Sequence, residues 1–232
     1  MRATIVTGVF AGIVVAALSA AAAQTPTPRA GTEQSGKSLK NEQDAANSRL
    51  LAAAEFFEAL AEQAFSATSS KLQNLVSKAE KAGQDVNATL PADTQSALDK
   101  QLSAIKQAQK ANNPSELALA AAEGYKILVS LTQGTKVPSA VSLLDYAGFR
   151  YNADLKSNPT RWADMQTAVE FAQEQWRSIS GQISQASLQK SFNSALTRME
   201  QAVEKKSAKA AASAVKDEQD LVDKLEVYFS KK

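Results

Sequence analysis

The chain contains no cysteine and no histidine. The lack of cysteine excludes disulfide bonds, thiolate nucleophiles and metal sites built on sulfur. The lack of histidine excludes a Ser-His-Asp triad and metal ligation by imidazole. The three methionines, Met1, Met165 and Met199, are too few for a methionine-rich copper site. Any active site must therefore use carboxylates, lysine, arginine, hydroxyls, tyrosine or tryptophan, and we expect no cofactor.

Glycine and proline are scarce as well, with 9 and 6 among 232 residues. The chain is rich instead in Ala, Gln, Lys, Glu and Leu, which are good helix formers. Apolar residues recur at steps of three and four, a spacing that predicts about seven one-sided helices with short connections. We therefore expect an all-α protein: one antiparallel helical bundle, or two related sub-bundles packed together.

Two details of the helical pattern refine this expectation. The first predicted helix, residues 41–81, shifts its apolar register by one residue near Ser66–Ser70, which predicts a bend or break there.

Farther along, an apolar pattern returns at a constant offset of 94 residues. A duplicated hairpin explains this repeat of the apolar pattern, although two amphipathic hairpins of equal length would also share such a register. The positions that match are Leu98, Leu102, Ile105 and Ala108 with Phe192, Leu196, Met199 and Ala202.

The N-terminus has the pattern of an export signal. Arg2 precedes an apolar stretch from Ala3 to Leu18 and small residues that end at Ala23, so residues 1–23 are predicted to be a cleaved signal peptide. The alternative is an uncleaved membrane anchor, because the apolar run reaches about 20 residues. Residues 24–40 carry few apolar side chains and are predicted to be a disordered leader, followed by a helical domain over 41–232.

The charge is almost balanced, with 26 basic and 24 acidic residues and a net charge of +2. This balance gives no electrostatic reason to expect nucleic-acid binding, since such proteins carry a clustered basic face. Export without cysteine is compatible with the bacterial periplasm, where disulfides are permitted but not required. We expect a periplasmic protein with no stable membrane insertion once the signal peptide is removed.

Aromatic residues concentrate between Val137 and Arg177. One interpretation is the thick part of a hydrophobic core; the other is an aromatic-lined groove between helices that binds a ligand. The candidate ligand-binding residues on the second interpretation are Asp145, Phe149, Arg150, Tyr151, Trp162 and Trp176.

In the same segment one helix face carries small and polar residues, namely Ser142, Asp145, Gly148 and Asn152. A glycine inside a helix indicates a close helix contact or a ligand approach, because it costs about 1 kcal/mol relative to alanine.

Acidic residues form two groups, Glu55, Glu58 and Glu62 on one predicted helix and several more between Asp217 and Glu226. Without sulfur or imidazole, only a hard cation held by oxygen is possible, and Asp145, Asp220 and Asp223 are the candidate ligands. The alternative is a solvated acidic face.

No motif singles out a catalytic acid or a phosphate-binding loop, so we do not expect an enzyme. The sequence favours a non-catalytic binding or interaction protein whose partner is a small molecule or an envelope protein. The alternatives are a carboxylate-based cation-binding protein and an envelope scaffold or chaperone.

Overall fold

The computed structural model describes residues 32–232, with side chains from residue 39 onward. In this range the chain forms eight α-helices and no strand, which confirms the predicted all-α bundle with one helix more than expected. No helix in the range is long and apolar enough to cross a membrane. The helices are α1 Thr32–Gln63, α2 Ser69–Asn87, α3 Ala92–Lys110, α4 Pro114–Val129, α5 Ser139–Leu155, α6 Trp162–Ile179, α7 Ala186–Glu204 and α8 Ala208–Ser230, with a short 3-10 turn at Ser180–Gln182.

The additional helix arises from the predicted break in the first helical segment. The backbone N–H groups of Ser66 and Ala67 donate to the carbonyl of Gln63, which closes α1. Thr68 then caps α2, because its side-chain oxygen accepts a hydrogen bond from the backbone N–H of Lys71. A side-chain cap of this kind satisfies a helix-terminal donor and favours a new start. The register shift in the sequence therefore marks two helices rather than one bent helix.

The start of α1 corrects part of the predicted leader. Residues 32–40 are helical, whereas the sequence predicted disorder over 24–40. Leu39 is 65% exposed and residues 40–45 are exposed too, so this part of α1 does not pack on the core. A helix that is already nucleated adds one hydrogen bond for each residue it fixes, so it can extend without burial. The predicted signal peptide, 1–23, and residues 24–31 lie outside the described residues.

The helices form two four-helix units. The first core is built from α1–α4 and the second from α5–α8. Helix α5 belongs to both: Leu144, Ala147 and Tyr151 face the second core, whereas Tyr146 and Phe149 pack into the first. The two units are therefore joined through a helix that is buried on two sides.

The two units repeat one another at the offset seen in the sequence. The bounds of α3 and α7 differ by 94 residues at both ends. Just after these helices, Asn112 and Lys206 have positive φ angles of 51° and 47°. The next residues, Asn113 and Ser207, cap α4 and α8 through their side chains. Helices of equal length alone would not place a left-handed residue and a cap at matching positions, so this agreement favours duplication.

Candidate functional site

The predicted aromatic residues are mostly core residues. Phe149, Tyr151 and Trp176 are 3%, 0% and 4% exposed. The hydroxyl of Tyr151 donates to the carbonyl of Met199 at 3.1 Å, and the Trp176 ring stacks on Phe192 with its centroid 4.4 Å away. The Tyr151 hydroxyl is thus hydrogen-bonded and the Trp176 ring is packed inside the protein, as is usual for buried aromatic rings. These three side chains are not available to line an open groove.

Arg150 and Trp162, two other candidates, are held by contacts within the protein. Arg150 is bound by the chain's own groups: Nη1 donates to Glu123 Oε1 at 2.7 Å and to the hydroxyl of Tyr146 at 3.1 Å. Asp154, which is buried, lies 3.9 Å from Arg150 Nε. Trp162 begins α6 and packs, half-buried, against the second core. The structure therefore gives Arg150 an internal role and leaves Asp145 as the candidate that lies near an open surface.

The three candidate metal ligands do not come together. Asp220 pairs with Lys216 at the surface, with 2.6 Å between Oδ2 and Nζ. Asp223 is exposed on the same helix, and Asp145 is half-buried on α5. Within residues 32–232 no group of three or more acidic side chains is arranged to hold a metal ion. The reason is geometric, because Asp220 points away from α5 into solvent.

An open groove lies between α1 and α8. Its volume is about 990 Å³, and it is lined by α1 from Lys40 to Glu58, by Tyr125 of α4, by the α4–α5 connection and by the end of α8. We call it the α1/α8 groove. Asn47 holds one wall in place, since its side chain donates to the carbonyl of Gln133 at 2.7 Å and accepts from the same residue's N–H at 3.1 Å.

The mouth of the α1/α8 groove is apolar. Leu51 of α1 is 37% exposed and Val227 of α8 is 50% exposed, and both line the groove. Among the described residues, the only other large apolar side chain this exposed is Leu39. Exposed apolar side chains that cluster beside a cavity are typical of a binding surface.

Glu58 of α1 and Glu226 of α8 give the groove two carboxyl groups, and Asp145 of α5 lies near them. Burial and the neighbouring Glu62 and Glu226 raise the pKa of Glu58 to about 7. Burial, and then the charge of Glu58, raise the pKa of Asp145 well above its usual range. Burial also raises the pKa of Glu226. Burial, and then the charges of Asp145 and Glu58, raise the pKa of the Tyr125 hydroxyl, which also lines the groove. Carboxyl groups of α1 and α8 therefore line the groove, and the Asp145 carboxyl on α5 lies near them without being one of the lining residues.

One further carboxyl lies behind this surface. Glu218 of α8 is completely buried, and neither of its side-chain oxygens has a hydrogen-bond partner. Its carboxyl packs on Gly148 of α5, where a Cβ atom would lie only 2.5 Å from Oε2. Gly148 is one turn from Asp145, so the predicted polar stripe of α5 faces α8. The expectation that Gly148 marks a close helix contact is confirmed.

The first unit carries no acid at the positions that correspond to these carboxyls. At an offset of 94 residues, Asp145 corresponds to Leu51 and Glu218 to Gly124 in the first unit. Glu226 corresponds to Thr132. The first unit packs α1 against α4 with no carboxyl at these positions, whereas the second unit places three there. The two units therefore differ in charge at these three positions.

Comparisons with known protein families, with curated proteins and with solved structures find no match to this chain. The sequence analysis identified Asp145 and the acidic face of Glu58, but it did not bring Glu58, Asp145, Glu218 and Glu226 together. The signal that was available is the repeat itself, because the offset of 94 residues places Glu218 where the first unit has glycine.

Proposed function

We propose that this chain is a non-catalytic binding protein of the bacterial periplasm whose ligand occupies the α1/α8 groove. The proposal keeps the class expected from the sequence and moves the site away from the buried aromatic residues. Its location in the periplasm rests on the signal-peptide pattern of residues 1–23.

The observation that carries the proposal is the combination of features in one groove. A volume of about 990 Å³ is sufficient for a small organic molecule. Leu51 and Val227 supply apolar contact at the mouth, and the carboxyls of Glu58 and Glu226, which also line the groove, supply orientation. An apolar surface with a few convergent polar groups is typical of small-molecule sites.

The electrostatics of the groove favour binding over acid–base catalysis. An acid–base pair needs two groups whose environments move their pKa values in opposite directions. The pKa values of Glu58 and Glu226 in the groove, and of Asp145 beside it, are all raised, and burial is the largest cause for each. A carboxyl whose pKa is raised keeps its proton to a higher pH, so it can donate a hydrogen bond to a ligand as well as accept one.

Native mass spectrometry tests the proposal directly. The protein is purified under non-denaturing conditions without chelators and compared with Ser48→Trp, which places an indole in the groove, since Ser48 lines it and is exposed. Ser70→Trp, at an exposed position of α2, is the matched control. We expect an organic adduct in the wild type and in Ser70→Trp that is absent from Ser48→Trp.

Other outcomes would favour the alternatives. A bound metal ion in place of an organic mass supports a cation-binding protein. If no adduct is found, and a pull-down from envelope extract captures a protein equally well with both tryptophan variants, an interaction scaffold or chaperone replaces the proposal.

A further inference from the structure

Glu218 lies in a closed space between α8 and α5. Its side chain is 0% exposed, and neither of its carboxyl oxygens has a hydrogen-bond partner among the described residues. Gly148 of α5 provides the room, because a Cβ atom there would lie 2.5 Å from Glu218 Oε2. Any larger residue at position 148 would have to displace the carboxyl, so the packing of α5 on α8 is built around it.

The first unit makes the corresponding helix contact without a carboxyl. At the offset of 94 residues, Glu218 corresponds to Gly124 and Gly148 to Ala54. A Cβ atom at Gly124 would lie 2.4 Å from the Phe57 ring. Glycine thus makes room for an aromatic ring in the first unit and for a carboxyl in the second. The contact between α5 and α8 therefore contains a group that can gain or lose a proton, in a place where its counterpart has none.

No cation is positioned to pair with Glu218 among the described residues. Asp145 of α5 interacts with it, but both groups are acids, so ionisation of one opposes ionisation of the other. The other charged or titratable side chains beside it on α5, α7 and α8 have partners of their own: Tyr151 with the Met199 carbonyl, Arg198 with Asp217 and Lys216 with Asp220. Burial therefore raises the pKa of Glu218 well above its usual range, and the packed carboxyl is neutral.

The packing of α8 on α5 thus requires the protonated form of Glu218. A carboxylate needs water, a donor or a cation, and the contact with Gly148 supplies none of them. Because the pKa of Glu218 is higher in the folded protein than in the unfolded chain, this contact is fully stabilising at low pH, and the stabilisation is lost as the pH rises through the folded value. Helix α8 also carries Glu226, Val227 and Ser230, which line the groove. Any movement of α8 away from α5 therefore moves one wall of the α1/α8 groove.

We propose that Glu218 is a proton-dependent switch that holds α8 against α5 and so sets the shape of the α1/α8 groove. In the protonated form, α8 packs as described and the groove holds its ligand. Loss of the proton to solvent leaves a carboxylate that must be hydrated, which separates α8 from α5 and releases the ligand. The effect on the ligand rests on the proposed function, whereas the movement of α8 does not.

A distance measurement across the groove tests this inference, and the absence of cysteine allows specific labelling. Nitroxide labels are attached to Ser48→Cys on α1 and Ser230→Cys on α8, two exposed positions that line the groove, in the full-length protein. Pulsed electron paramagnetic resonance then measures the distance between the labels from mildly acidic to alkaline pH. We expect one distance at acidic pH and a second, longer distance whose share grows as the pH rises.

Variants of Glu218 assign the movement to its proton. Glu218→Gln keeps a neutral side chain of similar size, and Glu218→Leu supplies a second side chain that does not titrate. Both should show only the acidic-pH distance at every pH. Glu204→Gln, at an exposed position of α7, should respond to pH like the wild type. Labels at Ser48→Cys and Ser103→Cys, which leave α8 out, should keep one distance throughout and so exclude global unfolding.

The contrary results separate the switch from the function. A single distance in the wild type at every pH would overturn the inference, and so would a second distance that persists in Glu218→Gln and Glu218→Leu. If α8 moves as expected but native mass spectrometry finds no adduct that Ser48→Trp removes, the switch is supported and the proposed function falls. If that adduct is present and α8 does not move, the function is supported and the switch falls.

Discussion

Replacement of Glu58 by glutamine is expected to stabilise the protein at neutral and alkaline pH. Burial and the neighbouring acids raise the pKa of Glu58 from 4.5 to about 7. Over that interval the unfolded chain releases the proton while the folded protein keeps it, so the folded state loses stability as the pH rises. The full difference corresponds to roughly 3 kcal/mol, and solvent screening of a half-buried group reduces it to about 1–2 kcal/mol.

Urea denaturation followed by far-UV circular dichroism measures this effect. Below pH 4.5 both states are protonated, and Glu58→Gln should then match the wild type closely. The difference should grow between pH 4.5 and about 7 and remain constant above that range. Glu42→Gln is the matched control, because Glu42 is exposed on the same helix and is not among the acids that raise the pKa of Glu58. A wild type that gains stability relative to Glu58→Gln as the pH rises would refute the reasoning.

Three further predictions follow from packing and hydrogen bonding. Gly148→Ala should lower the free energy of unfolding by about 1–3 kcal/mol, because the added methyl group meets the Glu218 carboxyl. In a double-mutant cycle, Glu218→Gly should recover much of that loss, whereas purely additive effects would contradict the contact. Asn113→Ala should cost about 1 kcal/mol in urea denaturation, since α4 loses its cap, whereas an unchanged midpoint would argue against capping. Tyr151→Phe should lower the free energy of unfolding by about 1 kcal/mol, because the hydrogen bond to the Met199 carbonyl is lost. The organic adduct in native mass spectrometry should be unchanged, and its loss would make Tyr151 a ligand-binding residue again.

Most of the fold was predictable because helical periodicity is a local property. The apolar residues of α7, such as Leu188, Phe192 and Leu196, are spaced so that only a helix buries them together. Asn113 was predictable as a cap, because it precedes Pro114 at the start of a helical pattern. The break after α1 appeared in the sequence only as a register shift, and the Thr68 cap that turns the shift into a separate helix is a weaker pattern.

The candidate site was less predictable, because it depends on which helices pack together. The aromatic residues of α5 and α6 drew attention by their size, yet large apolar rings gain most by burial, as Tyr151 and Trp176 do. Periodicity placed Glu58 on a face of α1 and Asp145 on a face of α5, but it carries no information on the pairing of those faces. The groove exists because α1 of one unit lies near α8 of the other, and that proximity is tertiary.

The position of α5 in both cores has a consequence for how the molecule folds. A duplicated chain usually yields two domains that unfold independently, each with its own melting transition. Here the first core is completed by Tyr146 and Phe149, and the second by Leu144 and Tyr151, all on one helix. Unfolding of α5 removes part of both cores at once, so we expect the two units to unfold in a single cooperative transition. The two units thus form one folding unit, and a cut between α4 and α5 would open the first core and expose Tyr146 and Phe149 on the surface of the second.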